Sequence, residues 1–425
     1  MMLVFLIALF LVLCVLKVPI PFSLALSSLV MLFILDLSTQ QLVIQLYKGL
    51  GLFPLLAVPF FLLVGNLMNF AKITDDLVTL SQAIVGRIRG GLAHVNVFVS
   101  MVFGGISGSS TADTSAVGAV LIPSMKKDGY SSAFSAAITC ASSTMGNIIP
   151  PSLYMIIYGS MAGVSIEKLF MAGIIPGILI GVTQMIYSYY YARKNDIPKA
   201  EKIELPRAIR IFGRTFPALI LIVLVIGGIT FGFFTATEAS VVAVLYTLLL
   251  ALFYYRTIRP KQLPGIFYDT AVSYGAILFT IASASIFSWL IAYMDGPEIV
   301  AGWIESVSTN PIVLLLIISG ILLIVGTFMS EIATIIIFTP IFLQIQELGG
   351  IDPIHMGIVV VMMLCLGLVT PPYGVCLLIA AKISGDRMLT VTKELIPLIL
   401  IFLLVVFLII VFPEIALFIP NTLAR

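Results

Sequence analysis

Charge is what this sequence has least of. Asp, Glu, Lys and Arg make up 10% of its 425 residues, against about 25% in a soluble globular domain. A chain so poor in charge cannot cover a folded surface with groups that water would solvate. Hydrophilic stretches are scarce too. The longest, 193–214, is only a loop, so no soluble domain fits, although length alone would allow two or three. The net charge of +2 and the lack of any basic patch with interleaved aromatics give no reason to expect nucleic acid. Cys14, Cys140, Cys365 and Cys376 all lie in apolar segments without metal-ligand spacing, which makes them packing residues. There are only two histidines, His94 and His355, both near helix starts, and no Asp/Glu/His relay runs through the apolar segments. The absence of an HExxH motif, a paired catalytic Asp and a GxSxG nucleophile removes the common hydrolytic enzymes.

What is present is hydrocarbon. Hydrophobic residues make up 60% of the chain and mean hydropathy is +1.18. Runs such as 216–231, 239–255, 312–325 and 395–412 recur along its length, and an apolar helix of about 20 residues crosses the roughly 30 Å core of a bilayer. The first run, 1–16, lacks a basic start and a small-residue cleavage site and reads as a retained helix. Spans are expected at 2–16, 19–36, 52–71, 132–163, 168–192, 215–234, 238–256, 271–293, 354–381 and 394–412. Lys17, Arg87 and Arg89, Lys126 and Lys127, the 193–214 loop, Arg256 to Lys261, and Lys382 to Lys393 then fall on one side, the cytoplasm. Asp36, Asp295, Glu298, Glu305, Glu347 and Asp352 fall on the other.

Two apolar stretches do not fit as ordinary spans. The run 92–122 lies between Arg89 and Lys126 and so begins and ends inside, whereas 312–342 lies between Glu305 and Glu347 and begins and ends outside. Each is expected to be a re-entrant hairpin, one turning at Gly104–Thr111 and the other at Gly326–Glu331. Each is followed by an apolar run interrupted by Pro-Pro, in NIIPPS (147–152) and GLVTPPYG (367–374), and each is preceded by an amphipathic arm, 74–89 or 297–308. The same order thus occurs twice, about 220 residues apart and in opposite orientation. The expected fold is an all-α polytopic membrane protein, an inverted-repeat transporter with two re-entrant hairpins and two Pro-Pro-broken helices. Its first repeat would cover about 19–192 (hairpin 91–125, broken helix 132–163) and its second about 238–420 (hairpin 311–342, broken helix 354–381), with 193–214 as a cytoplasmic linker.

Such breaks carry chemistry. Proline removes an N–H and blocks the i−4 bond, so carbonyls before Pro150 and Pro371 lose their helical partners. Carbonyls freed at mid-membrane suit a small hard cation, and the half-helix ends offer positive N-termini to a carboxylate and negative C-termini to the cation. Ser107, Ser109, Ser110, Thr111, Asn147, Thr327, Ser330 and Thr370 add neutral oxygens, while Asp113 and Glu331 are the ionisable residues at the tips. An intramembrane carboxylate is by default a functional candidate; hairpin capping is the structural alternative for Asp113. The wealth of neutral oxygens favours sodium over protons as the coupling ion.

At these residues the sequence resembles the large membrane subunit of the tripartite ATP-independent periplasmic (TRAP) transporters. The resemblance covers nearly the whole chain through LLAVPFFLLVGNLMN (55–69), RGGLAHVNV (89–97), SGSSTADTSAVGAVLIP (107–123), NIIPPS, IEKLFMAGIIPGIL (166–179), GFFTATEAS (232–240), IDPIHMGIVVV (351–361) and GLVTPPYG. It implies an elevator-type secondary transporter in the bacterial inner membrane that imports carboxylates such as sialic acid or C4-dicarboxylates with sodium, without an organic cofactor. It also implies two partners, a small four-helix membrane subunit and a periplasmic substrate-binding protein. By motif position, sodium sites fall at Ser107, Ser110, Gly146, Asn147 and Pro150, and at Gly326, Met329, Thr370 and Pro371, largely through backbone carbonyls. Substrate contacts are expected at Ser109, Thr111, Asp113, Ser330 and Glu331. The second tip departs from the family's usual Asp, with Ser330 in its place and Glu331 beside it. A stand-alone organic-anion symporter, or a channel, is the alternative reading.

Overall fold

In lipid every backbone N–H and C=O must be paired within its own segment, so apolar runs of this length have no alternative to helix. The computed structural model describes residues 1–71, 73–197 and 205–423, and among these it contains helices and no strand. The chain opens with α1 (Met2–Val15), α2 (Ile20–Ile34), α3 (Gln40–Leu50) and α4 (Ala57–Phe70). An arm, α5 (Ile73–Val85), leads into the first hairpin, α6 (Gly91–Ser107) and α7 (Ser110–Lys127). The first broken helix follows as α8 (Ser132–Ser143) and α9 (Leu153–Ala162), then α10 (Ile166–Lys194). Next come α11 (Leu205–Ile222), its short continuation α12 (Gly228–Thr230), α13 (Ala236–Leu249) and the long α14 (Leu263–Tyr293). A second arm, α15 (Gly296–Glu305), precedes the second hairpin, α16 (Pro311–Val325) and α17 (Glu331–Gly349). The second broken helix, α18 (Pro353–Gly367) and α19 (Val375–Ser384), is followed by α20 (Met388–Val411) and α21 (Glu414–Leu423).

Seven helices are long and apolar enough to cross a membrane among the described residues. The expected spans 2–16 and 19–36 are shorter helices, and α17, read from the sequence as a hairpin arm, reaches spanning length. Of the expected linker 193–214, residues 198–204 lie outside the described residues, and helix resumes at Leu205.

Local chemistry ends each half-helix where the next function needs it. Ser109 caps α7 by accepting from the Ala112 N–H, and Ser330 caps α17 by accepting from the Ala333 N–H, both at 3.4 Å. Ser131 caps α8 and Asp352 caps α18. Gly129 and Gly350 both turn the chain with positive φ just before those caps. Ser109 and Ser330, Gly129 and Gly350, Ser131 and Asp352, Gly146 and Gly367, and Pro150 and Pro371 are each 221 positions apart. A single register therefore relates hairpin, turn and break in the two halves. With the basic ends placed in the cytoplasm, one hairpin enters from inside and the other from outside.

The helices sort into a frame and a core. α14 packs against α2, α3 and α4, and α4 against α13, forming the frame. The Asn66 amide of α4 donates to the Thr270 hydroxyl of α14 at 2.8 Å. Pro217 lacks the N–H that would have bonded the Gly213 carbonyl; the Tyr254 hydroxyl reaches that carbonyl at 3.4 Å, and the Tyr255 hydroxyl donates to the Arg214 carbonyl at 3.0 Å. In the core, Asn96 of α6 donates to Thr139 of α8 at 2.6 Å and accepts from Ser142 at 3.2 Å. Lys126 and Ser132 both donate to the Ser384 carbonyl, at 3.0 and 3.2 Å, which ties the base of the first hairpin to the second broken helix. Frame and core meet where α4 lies on α6 and α14 lies on α17. Asn96→Leu removes two buried hydrogen bonds, while Thr139 keeps its bond to the Ser135 carbonyl and Ser142 its bond to the Thr139 carbonyl; loss of about 1–3 kcal/mol is expected, read as a lower unfolding temperature in detergent.

Candidate functional site

The site begins at the two hairpin tips. α6 ends at Ser107, and Gly108 then takes φ +61°, where a Cβ would fall 2.6 Å from the Pro151 carbonyl oxygen. The Leu153 N–H donates to the Gly108 carbonyl at 3.5 Å, so the tip rests on its own broken helix. In the second half the Tyr373 N–H donates to the Thr327 carbonyl at 3.1 Å. Two glycine pairs permit this approach. A Cβ on Gly104 would lie 2.8 Å from the Gly146 Cα, and one on Gly367 would lie 2.9 Å from the Gly326 carbonyl oxygen.

Each junction gathers oxygens. At the first, the Asn147 amide donates to the Ser110 hydroxyl at 3.0 Å, the Ser110 hydroxyl donates to the Thr144 carbonyl at 3.4 Å, and the Ser152 hydroxyl donates to the Asn147 carbonyl at 2.5 Å. The Asn147 side-chain oxygen is buried with no hydrogen-bond partner among the described residues. At the second, the Thr370 hydroxyl turns back onto the Leu366 carbonyl at 2.6 Å. Among the described residues the carbonyls of Ser107, Gly146, Pro150, Gly326, Met329, Thr370 and Pro371 accept no hydrogen bond outside a helix. Carbonyls are obligatory acceptors, and buried ones are rarely left unpaired. At the first junction, carbonyls without such a bond together with the orphaned Asn147 amide oxygen are the chemistry that a hard cation takes.

Next to the first junction lies a cavity of about 450 Å³ between frame and core. The core supplies Ser109, Thr111 and Ser115 of the hairpin, Asn147 of the break, and Leu153 and Tyr154 of α9. The frame supplies Asn66 and Asn69 of α4 and Ser273 of α14, and Ile332 enters from the second hairpin. Among the described residues, no charged side chain lines this cavity. Instead the N-terminal turns of α7 and α9 border it, and a helix N-terminus carries about half a positive charge. Each is worth about 0.3–2 kcal/mol to an anion, depending on burial. Amide and hydroxyl donors to a charged group add about 1.5–3 kcal/mol apiece. The arrangement can therefore hold a small anion without a cationic side chain. Ser273 and Asn69 set the cavity toward the cytoplasmic ends of α14 and α4, the ends next to Arg259 and Lys261 in the one case and the arm α5 in the other.

The structure brings some of the sequence-selected residues together and separates others. Ser109 and Thr111 line the cavity with their hydroxyls 3.1 Å apart, and Asn147 joins cavity to junction. Asp113 is fully buried on the opposite face of α7, toward Ser100 and Ser143. Glu331 is buried beside Tyr154, and neither it nor Ser330 lines the cavity. Asn66, Asn69, Ser115, Tyr154 and Ser273 were not singled out from the sequence. Two asparagines three residues apart in an apolar span would have marked α4, since polar groups in membrane helices are costly; Tyr154 and Ser273 carry no such signal.

Residues 7–415 match the family described as tripartite ATP-independent periplasmic transporter, DctM component. YgiK of Salmonella typhimurium, an uncharacterised protein, is 42% identical over 96% of this chain and 94% of its own. The C4-dicarboxylate TRAP transporter large permease protein DctM of Pseudomonas aeruginosa is 36% identical, covering 91% of this chain and 90% of its own. The sialic acid TRAP transporter large permease protein SiaM of Vibrio cholerae is 34% identical, covering 89% and 88%. Among solved structures, the YdaH transporter of Alcanivorax borkumensis superposes with a TM-score of 0.62 at 16% identity, covering 88% of this chain and 87% of its own, a likeness of fold alone.

Proposed function

The chain belongs to the tripartite ATP-independent periplasmic transporters as their DctM component, the large inner-membrane permease, and on that premise we propose that it imports a small carboxylate by sodium symport. Permeases of this family work with a small membrane subunit and a periplasmic binding protein, and they are transporters rather than enzymes. The finer reading concerns the ion, the substrate and the motion.

Sodium occupies the two junctions, the first around Ser107, Ser110, Gly146, Asn147 and Pro150 and the second around Gly326, Met329, Thr370 and Pro371. The carboxylate occupies the neutral cavity, held by Ser109, Thr111, Asn69 and the N-termini of α7 and α9. The observation that carries this reading is the double place of Asn147, whose side chain bonds Ser110 at the junction and also lines the cavity. A cation that fixes Asn147 also fixes one wall of the anion site, so binding of one favours the other. Its charge offsets that of the anion in a region from which water is largely excluded. The core then moves against the frame along the α4–α6 and α14–α17 contacts, in the elevator sense, and on this reading the cavity belongs to the cytoplasm-facing end of that travel. Each net positive charge imported gains about 2.3 kcal/mol per 100 mV of membrane potential.

The partners are a four-helix small subunit and the cognate binding protein, which presents the substrate. The test is uptake by the two-subunit complex in vesicles, with loaded binding protein outside, across a panel containing succinate and N-acetylneuraminate. Accumulation of a panel member is expected under an inward sodium gradient and is expected to vanish when potassium replaces sodium. Equal accumulation with either ion would overturn the coupling.

A further inference from the structure

A second cleft, of about 290 Å³, opens between frame and core at the other membrane side. Gln45 and Lys48 of α3 and Ser285 and Ser288 of α14 line its frame wall; Ser160 at the end of α9 and Pro340 of α17 line its core wall. Both cavities use the same face-to-face contact of frame and core, at different depths. α14 runs from the basic end near Arg259 and Lys261 to the acidic end at Asp295 and Glu298. Ser273 and Ile277 border the first cavity and Ser285 and Ser288 the second. From Ile277 to Ser285 the helix rises about 12 Å.

The electrostatics of this side are unusual. Asp36, Glu238, Asp295, Glu298, Glu305 and Asp352 all face it, a surface that repels an arriving carboxylate. Among the described residues its cations are Lys48 and Lys168, and of these only Lys48 lines a cleft. The ion pairs among the described residues are Arg89–Asp196 and Arg214–Asp76, so Lys48 has no acidic partner there. Gln45, only 9% exposed, lines the cleft about one helical turn before Lys48. Gly49 keeps α3 against α14 at this level, since a Cβ there would meet the Ser285 hydroxyl. Lys48 thus lines a mixed cleft, with Leu52, Met161 and Trp289 beside the polar residues and the Ser160 and Ser285 hydroxyls donating to their own helix carbonyls, on the membrane side that carries the acidic residues.

We propose that the Lys48 cleft is an anion-docking site on the extracytoplasmic face, where the carboxylate released by the binding protein rests before the core takes it up. This deepens the transport reading above and rests on it. The site selects for negative charge, while the deeper neutral cavity selects for the shape of the acid.

The experiment uses the full chain with its small subunit in vesicles and cognate binding protein loaded with succinate or with N-acetylneuraminate. Lys48→Gln and Lys48→Glu are expected to raise the half-saturating concentration of loaded binding protein about tenfold, the latter more, with the maximal rate little changed. Lys48→Arg restores it, and Lys168→Gln, outside the cleft, leaves it unaltered. Because Lys48 is exposed, these changes leave folding intact, which size-exclusion profiles verify. A wild-type half-saturation in Lys48→Glu, or an equal rise in Lys168→Gln, overturns the docking site and leaves the transport reading standing. Failure of the unaltered protein to accumulate either acid overturns both.

Discussion

Asn147→Leu is expected to abolish sodium-driven uptake, by a hundredfold or more, in a protein that still inserts and folds. The side chain it removes makes three contributions at once. Its amide holds Ser110 at 3.0 Å, its oxygen is buried without a protein partner, and its surface forms part of the cavity wall. Losing one neutral buried hydrogen bond costs about 1 kcal/mol, too little for a hundredfold effect, which needs about 2.7 kcal/mol. The rest comes from the cation. Leucine puts methyl groups where an oxygen ligand is required, so a sodium ion entering the junction must shed water without replacement. Asn147→Ser, smaller and still oxygen-bearing, is expected to recover part of the activity at raised sodium. Uptake rates in vesicles at several sodium concentrations check both variants; a leucine variant with unaltered sodium dependence would contradict the assignment.

The second large effect is expected from Gly104→Ala. Its new Cβ would sit 2.8 Å from the Gly146 Cα and 3.1 Å from the Gly146 nitrogen, contacts with backbone that cannot rotate away. Either the hairpin tip or the break must shift, and overpacking of this kind costs about 1–3 kcal/mol. The shift falls on the proposed sodium junction, since Gly146 is two residues from Thr144 and next to Asn147. Transport is expected to fall at least tenfold, with a higher sodium requirement. Gly367→Ala, which drives a Cβ toward the Gly326 carbonyl at 2.9 Å, should do the same through the second junction. Gly320→Ala is the control: it lies in α16 with nothing within 4 Å of its added Cβ. There the better helix propensity of alanine leaves transport unchanged and stability equal or slightly higher.

These residues also show how far the sequence could be read. The two hairpins and the two breaks were legible because glycine, serine and Pro-Pro interrupt apolar runs at matching places, and lipid allows few reasons for such interruptions. The caps were less so: Asp113 is the capping candidate in the sequence, whereas Ser109 and Ser330 cap α7 and α17 in the structure. Facing was less legible. Asp113 and Thr111 are neighbours in sequence, yet Thr111 lines the cavity and Asp113 is buried behind it, because two residues on a helix point nearly opposite ways. Which of those ways leads to the cavity depends on where α4 and α14 pack, and no local pattern encodes that. Asn66 and Asn69 belong to the frame, far in sequence from the hairpins, so attention to the interruptions alone passed over them. The close Gly104–Gly146 and Gly326–Gly367 approaches likewise arise from tertiary contact, although each glycine is visible in the chain.

The central claim is that cation and carboxylate bind as neighbours joined through Asn147. It is tested most directly by titrating the purified two-subunit complex with the acid it transports, in sodium and in potassium at equal ionic strength. The account predicts at least tenfold tighter binding in sodium, a coupling of about 1.4 kcal/mol, and loss of that difference in Asn147→Leu. Equal affinity in the two salts, or a sodium effect that survives in Asn147→Leu, would contradict it.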